Sequence, residues 1–449
     1  MRYHLIAIGG AVMHNVAIDL KDMGHEVTGS DDEIYDPSLS RLKKHNLLPE
    51  KMGWDDDKIV DNIDLIILGK HAKADNPELL KAQSIGLKIM SFPEFITDTS
   101  TATQRICIAG SHGKTSTTSM IMHVLSKLEF DFDYLVGANL EGFNKMVKLS
   151  GADILVVEGD EYPSSCIDMR AKMLHYKPTI SVITGMAWDH VNIYKTYDSY
   201  KEAFRSFLKS MDSTAVCFFD QSDEELRKML ITESFAVQRQ GYLGLEIDKK
   251  GNVAFENEKY PIKIFGHHNM LNLNAALLVC QNLGISSADF FKTIAEFKGA
   301  AKRLECILKT NQLIVYKDFA HAPSKCKATV AAMRQKYPHK KIKGLLELHT
   351  FSSLSANFIP QYKGTMEGLD QAGIFYDPHA VAMKKMDPIE KNFVQESFSH
   401  ENLVVFNVAS DCHQFLNESL TDGTEVLLIM SSGNLAGFDL EAMIESVPK

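Results

Sequence analysis

At 449 residues, 45% apolar and 24% charged, the chain has the makeup of a globular protein too long for one core, so about two to four domains are expected. A net charge of −10 with no long basic stripe argues against a nucleic-acid partner. No apolar run approaches bilayer length and the start Met1-Arg2-Tyr3-His4 lacks a signal-peptide pattern, so no membrane association and a cytoplasmic location are expected.

The stretch 1–99 alternates strand-like and helix-like segments. A strand over 3–8 leads into Gly9-Gly10 and a helix reaching about residue 23. A strand at 26–29, a helix at 37–45, a strand at 63–68, a helix from Pro77 and a strand at 87–90 follow. Such βαβ patterning predicts a parallel sheet covered by helices. The strand-Gly-Gly-helix start, with Asp31 after the second strand, is what nucleotide-binding Rossmann units show. Ala7 and Val12 stand at two of the three expected glycine places, so a glycine turn without ligand is an equal reading.

Residues 100–298 carry the most informative segment, Ala109-Gly110-Ser111-His112-Gly113-Lys114-Thr115-Ser116. It sits between the apolar run 106–108 and a helix-like stretch at 117–128. A glycine turn at a helix mouth presents backbone N–H groups and a positive dipole end to phosphate oxygens. Lys114 can reach terminal phosphates, and Thr115 can hold Mg²⁺ that bridges them. The pattern departs from G-x-x-x-x-G-K-[ST] at its first position, Ile108. A second buried strand, 153–157, ends at Glu158, placed to share that ion; the bland reading is a solvated acidic loop. A third strand at 180–184 precedes Trp188-Asp189-His190, and a lone histidine there reads first as a core or surface residue.

Asn269 and Asn272, three apart at the start of a helix, can present amides to a nucleotide, although Asn269 also reads as a helix cap. Arg303 lies at a boundary and could meet a γ-phosphate; alone it reads as a surface cation. In 299–449 strands are expected at 313–316, 342–346, 373–376, 403–406 and 425–430, alternating with helices. The seven cysteines (107, 166, 217, 280, 306, 326 and 412) show no C-x-x-C pair, so neither a disulfide framework nor a zinc site is indicated. Cys107, Cys280 and Cys306 have apolar neighbours and are expected in the core.

Together these segments resemble the Mur ligase family, ATP-dependent amide-forming enzymes of peptidoglycan synthesis. Residues 109–116 are similar to its G-T-x-G-K-[ST] turn, with Gly110, Ser111, His112, Gly113, Lys114, Thr115 and Ser116 meeting ATP. Glu158 falls on its metal carboxylate and His190 on its metal histidine. Residues 266–276 resemble its G-x-H-N-x-x-N-x-x-A-A signature, where His268, Asn269 and Asn272 lie by the nucleotide. Residues 299–305 look like its G-x-x-x-R-x-E segment, with Arg303 as a phosphate contact, and 317–323 like its D-D-Y-A-H-x-P stretch, with Asp318 at the ribose. Lys317 departs from the first aspartate of that stretch.

The resemblance implies an α/β fold of three domains. These are a Rossmann-like UDP-sugar domain (1–99), a central P-loop-type parallel sheet binding ATP and Mg²⁺ (100–298), and a Rossmann-like domain taking the amine (299–449). Substrate contacts are expected at Gly9, Gly10, Ala11, Met13, Ser30, Asp31 and His321, and the catalytic set is Lys114, Glu158, His190 and Arg303. The N-terminal segment 4–31 resembles the branch that starts from UDP-N-acetylmuramic acid. Members of that branch add either L-alanine or the recycled tripeptide L-Ala-γ-D-Glu-meso-diaminopimelate. Glu161-Tyr162, Asp168 to Lys172 and His175-Tyr176, with Met430 to Asn434, resemble the tripeptide type; Leu348 to Ser352 resembles the alanine type. The tripeptide is the expected acceptor, and a monomer or homodimer the expected state.

Overall fold

A computed structural model describes residues 1–449 except 139, 301–302, 446 and 448–449. The chain divides into two compact units. One comprises Met1–Met186, Lys201–Leu243 and Ala275–Thr293; the other comprises Ala187–Tyr200, Gly244–Asn274 and Ile294–Lys449.

Within the first unit, Arg2–Ile6, Glu26–Ser30, Leu65–Leu68 and Ile89–Ser91 form a wholly parallel sheet in the order Glu26–Ser30, Arg2–Ile6, Leu65–Leu68, Ile89–Ser91. Leu65-Ile66-Ile67-Leu68 is apolar and buried at every position, the pattern of a strand covered on both faces. A second sheet runs Gln238–Tyr242, Val216–Asp220, Ile180–Ile183, Gln104–Ala109, Ile154–Gly159, Asp133–Leu135, Val147–Lys148. Only its last pair is antiparallel. The helix Met13–Asp22 ties the two sheets together: Asp19 accepts from Lys145 at 3.0 Å and from the Leu149 N–H at 2.8 Å, while Asn15 accepts from the Met146 N–H at 3.0 Å.

Within the second unit the order is Glu305–Lys309, Ile314–Asp318, Val426–Met430, Ile342–Leu348, Gln371–Tyr376, Leu403–Phe406. The first pair is antiparallel and the rest parallel. One face packs Tyr316, Val330, Leu346, Tyr362 and Phe398; the other packs Val315, Leu345, Phe375 and Phe415. The multi-domain α/β class with parallel-dominated sheets is therefore the one expected.

Details differ from expectation. The helix after the phosphate turn begins at Lys114, not 117, and the strand expected to end at Glu158 runs one residue further, from Ile154 to Gly159. Cys306 is exposed, whereas Cys107 and Cys280 are buried. The reason is that Cys306 occupies the antiparallel edge strand Glu305–Lys309, whose residues are at most half-buried.

Candidate active site

The buried strand Gln104–Ala109, fourth of seven in its sheet, delivers the turn 110–113. Gly110 has φ +120° and a Cβ there would stand 2.5 Å from the Thr184 hydroxyl; Gly113 has φ +72°. Both conformations require glycine. The Thr184 hydroxyl donates to the carbonyls of Ala109 and His112, and the Ser111 N–H donates to the Gly185 carbonyl at 2.9 Å. The turn is thus clamped to the end of the neighbouring strand Ile180–Ile183. Gly110→Ala should weaken binding of a non-hydrolysable ATP analogue by about tenfold or more, since forced backbone strain costs about 1–3 kcal/mol; calorimetric titration checks this.

Lys114 opens the helix Lys114–Lys127. Its Nζ donates to the Gly110 carbonyl at 2.6 Å and to Glu161 Oε2 at 2.9 Å. Burial opposes charge on Lys114, but Glu161 and Asp160 outweigh it and raise the pKa, so the group stays cationic. Burial likewise opposes the Asp160 carboxylate, and Lys172 at 3.1 Å with Lys114 overcomes it. The Thr115 hydroxyl donates to Glu158 Oε2 at 3.2 Å. A hydroxyl and a carboxylate oxygen make a hard donor pair of the kind Mg²⁺ prefers. A Cβ at Gly137 would come within 3.1 Å of Glu158 Oε2, so glycine keeps the space beside that carboxylate open. These residues fit a magnesium–phosphate group.

Segment 160–176 forms a charge network in the same unit. Arg170 forks onto Asp168 and reaches Glu94 at 3.5 Å, and His175 stands 3.3 Å from Asp168. Lys172 is paired to Asp160, with its side chain 13% exposed.

At the first turn the Gly9 N–H donates to Asp31 Oδ2 at 2.7 Å. Asp31, Ser30 and Met13 are buried, while Ala11 is exposed and Gly9 and Gly10 are half-buried. Asp31, Ser30 and Met13 thus build the turn, and Gly9 to Ala11 present it. Burial, with Asp32 adding, raises the Asp31 carboxyl from 3.8 to about 6. Between those values the folded state holds more protons than the unfolded one, so ionising Asp31 costs stability as pH rises through that window, and the cost is complete above it. Asp31→Asn keeps an acceptor for Gly9. It should raise the thermal midpoint at pH 7, with the gain vanishing below the unfolded value of 3.8 when melting is followed across pH.

The second unit holds the remaining expected residues. His190 adopts φ +58° and its N–H donates to Asp189 Oδ1 at 2.7 Å. Lys325 Nζ lies 3.3 Å from Asp189 Oδ2, and the Ser352 hydroxyl contacts Oδ1 at 3.5 Å. Burial would raise the Asp189 carboxyl, but Lys325, His190 and His321 outweigh it and hold it far below the usual range. His321 is pushed down to about 3 by burial and Lys325, so its ring is neutral; Nδ1 meets the Phe319 carbonyl at 2.8 Å. Asp318 is buried and accepts from the Thr329 hydroxyl. The Arg303 guanidinium covers the Phe319 ring at 4.7 Å. Ala301 and Lys302 of that segment lie outside the described residues. Asn269 donates its amide to the Phe265 carbonyl at 2.9 Å, as a residue securing the helix start does. Asn272 is buried on the same helix, and His268 Nδ1 is buried with no hydrogen-bond partner among the described residues.

Asp189, Lys325 and Glu347 were not singled out from sequence, and Ser352 entered only as the end of the run 348–352. Asp189 carried the one available signal, its adjacency to His190. Glu347 is buried at the end of Ile342–Leu348 and accepts from the Ser431 hydroxyl and, at 3.2 Å, from the Leu435 N–H. It therefore joins the runs 348–352 and 430–434. Beside them opens a cavity of about 310 Å³ with Trp188, Val191 and Phe358 as apolar walls and Asn192, Lys195 and Asn357 at its polar margin.

A model of the Mur ligase family catalytic domain matches residues 2–103, and one of the Mur ligase middle domain matches 108–280. UDP-N-acetylmuramate–L-alanine ligase of Sulfurihydrogenibium sp. (strain YO3AOP1) is 30% identical over 80% of this chain and 78% of its own length. The UDP-N-acetylmuramate–L-alanyl-γ-D-glutamyl-meso-2,6-diaminoheptandioate ligase of Escherichia coli K12 is 28% identical over 75% of this chain and 76% of its own. The solved UDP-N-acetylmuramate–alanine ligase of Thermotoga maritima shares the fold, with TM-score 0.70 at 19% identity over 97% of both chains. No helix among the described residues is long and apolar enough to cross a membrane. With a clamped phosphate turn, a hydroxyl–carboxylate pair behind its lysine and these relatives spanning most of its length, the chain belongs to the Mur ligase family of ATP-dependent amide-bond ligases.

Proposed function

We propose that this enzyme joins the amino group of L-Ala-γ-D-Glu-meso-diaminopimelate to the lactyl carboxylate of UDP-N-acetylmuramic acid, in cytoplasmic peptidoglycan recycling. Domain limits at 1–99, 100–298 and 299–449, a monomeric or homodimeric state and the absence of nucleic-acid and membrane partners belong to the same reading. The observation that carries the choice of acceptor is the cavity beside Trp188 and Phe358. Its volume of about 310 Å³ has room for an acceptor larger than a single alanine, and Lys195 in its lining is a cation that a peptide carboxylate could meet. L-alanine is the second reading, favoured by the name of the 30%-identical relative and by residues 348–352.

A carboxylate does not acylate an amine unaided, because oxide is too poor a leaving group. In this reading Lys114 holds the γ-phosphate of ATP, and Arg303 is assigned to the same charge. The lactyl oxygen bonds the γ-phosphorus and ADP departs with the electron pair of the broken P–O bond. The amine lone pair then adds to the acyl carbon, the tetrahedral intermediate expels inorganic phosphate, and the amine proton is released. Thr115 and Glu158 would hold Mg²⁺, with His190 for a second ion, supplying positive charge to the phosphate oxygens. His268, Asn269, Asn272 and Asp318 are assigned to the adenosine, and Gly9 to Ala11 to the sugar nucleotide.

Phosphate release in the presence of ATP and UDP-N-acetylmuramate tests the reading. The tripeptide should exceed L-alanine in kcat/KM by about tenfold or more. Equal or better turnover of L-alanine would reverse the choice.

A further inference from the structure

Lys70 follows Gly69 at the C-terminal end of the buried strand Leu65–Leu68, the edge where open parallel sheets take their ligands. Its ammonium lies 3.4 Å from the centre of the Tyr162 ring. Among the described residues no carboxylate stands within ion-pair distance of it. Its neighbouring lysines differ: Lys114 is compensated by Glu161 at 2.9 Å and Lys172 by Asp160 at 3.1 Å. Because Tyr162 directly follows Glu161, the unpaired ammonium and the phosphate-turn lysine are tied to consecutive residues of one loop, within one compact unit. A half-buried ammonium whose described contact is a ring face carries a desolvation cost that an anion would offset. Burial, with Lys172 adding, pushes its pKa down to about 8.

We propose that Lys70 binds the carboxylate of the sugar-nucleotide substrate and holds it for attack on the phosphate carried at Lys114. The inference rests on the ligase reading above. Phosphorylating a carboxylate drives one anion against another, so a cation beside the attacking oxygen lowers the repulsion in the approach and in the transition state. Tyr162 fixes where that cation sits. The diphosphate of the same molecule is the other anion that Lys70 could meet.

Titration of Lys70→Met with UDP-N-acetylmuramate and with UDP-N-acetylglucosamine, which lacks the lactyl carboxylate, separates these. Affinity for the first should fall by about 10- to 100-fold, the scale of one charge-assisted hydrogen bond, and affinity for the second should not change. Equal losses on both would move Lys70 to the diphosphate and overturn the carboxylate assignment. No loss on either would remove Lys70 from the site. Wild-type protein that binds neither nucleotide would sink the ligase reading itself. Lys70→Arg provides a second readout should the methionine variant unfold. Wild-type affinity for UDP-N-acetylmuramate should weaken as pH rises through about 8, and the arginine variant should hold it. The charged and titratable groups around Lys70 are Lys172, Asp160, His71 and Tyr162, and all remain in both proteins.

Discussion

Lys114→Met will lower kcat by about 10²–10³-fold, the scale found when one preorganised donor to a developing charge is removed. The same substitution will destabilise the protein for a separate reason. Glu161 has a side chain only 1% exposed and Lys114 is its ion-pair partner, so the variant leaves a carboxylate buried without that cation. Breaking such a pair from one side costs about 3–5 kcal/mol, far more than the net worth of the pair itself. Loss of activity in the single variant therefore mixes chemistry with stability. Lys114→Met combined with Glu161→Gln resolves the mixture, since glutamine carries no charge to strand. The double variant should regain most of the lost thermal midpoint while turnover stays low. If turnover returns together with the midpoint, Lys114 is a structural cation and has no part in phosphoryl transfer.

The phosphate turn was legible in sequence because its parts are contiguous. Gly110 to Ser116 form one strand-turn-helix junction, and the turn's need for positive φ is written in its two glycines. Strands buried on both faces were legible for a similar reason: Leu65–Leu68 and Val426–Met430 are uninterrupted apolar runs. Edge strands were not. Gln238–Tyr242 reads Gln-Arg-Gln-Gly-Tyr, with three exposed positions and no alternation to mark it, and it forms only because Val216–Asp220 offers a parallel partner. Glu305–Lys309 misled in the opposite direction, since apolar neighbours around Cys306 suggested a core that an edge position does not provide.

Long-range pairings were beyond sequence reasoning. The partner of Lys114 is 47 residues away and that of Asp189 is 136 residues away. Nothing local in Lys325 distinguishes it from a surface residue, and the run ending at Ser352 gives no hint of a contact with Asp189. Glu347 shows the same limit in a more useful form. Runs 348–352 and 430–434 resemble two different acceptor types, and in sequence they simply disagree. In the fold both spring from adjacent parallel strands and are fastened to one buried carboxylate. The disagreement thus concerns a single edge of one sheet, and the acceptor assay interrogates that edge.

Glu158→Gln should raise the Mg²⁺ concentration needed for half-maximal turnover by about tenfold or more and lower kcat at saturating Mg²⁺ by about 10²-fold. Glutamine keeps the shape of the side chain and an oxygen to accept from the Thr115 hydroxyl, so the 3.2 Å contact and the helix start can persist. What is lost is the formal charge, and with it the attraction for a divalent cation in a buried setting where water screens little. The turn itself is clamped through Thr184 and Gly185 rather than through Glu158, so ATP should still bind with its phosphates on the backbone N–H groups. KM for the sugar nucleotide should accordingly stay near the wild-type value while the Mg²⁺ curve shifts. An unchanged Mg²⁺ titration at reduced kcat would make Glu158 a positioning group for Thr115, and an unchanged kcat with an unchanged Mg²⁺ titration would remove Glu158 from the metal site.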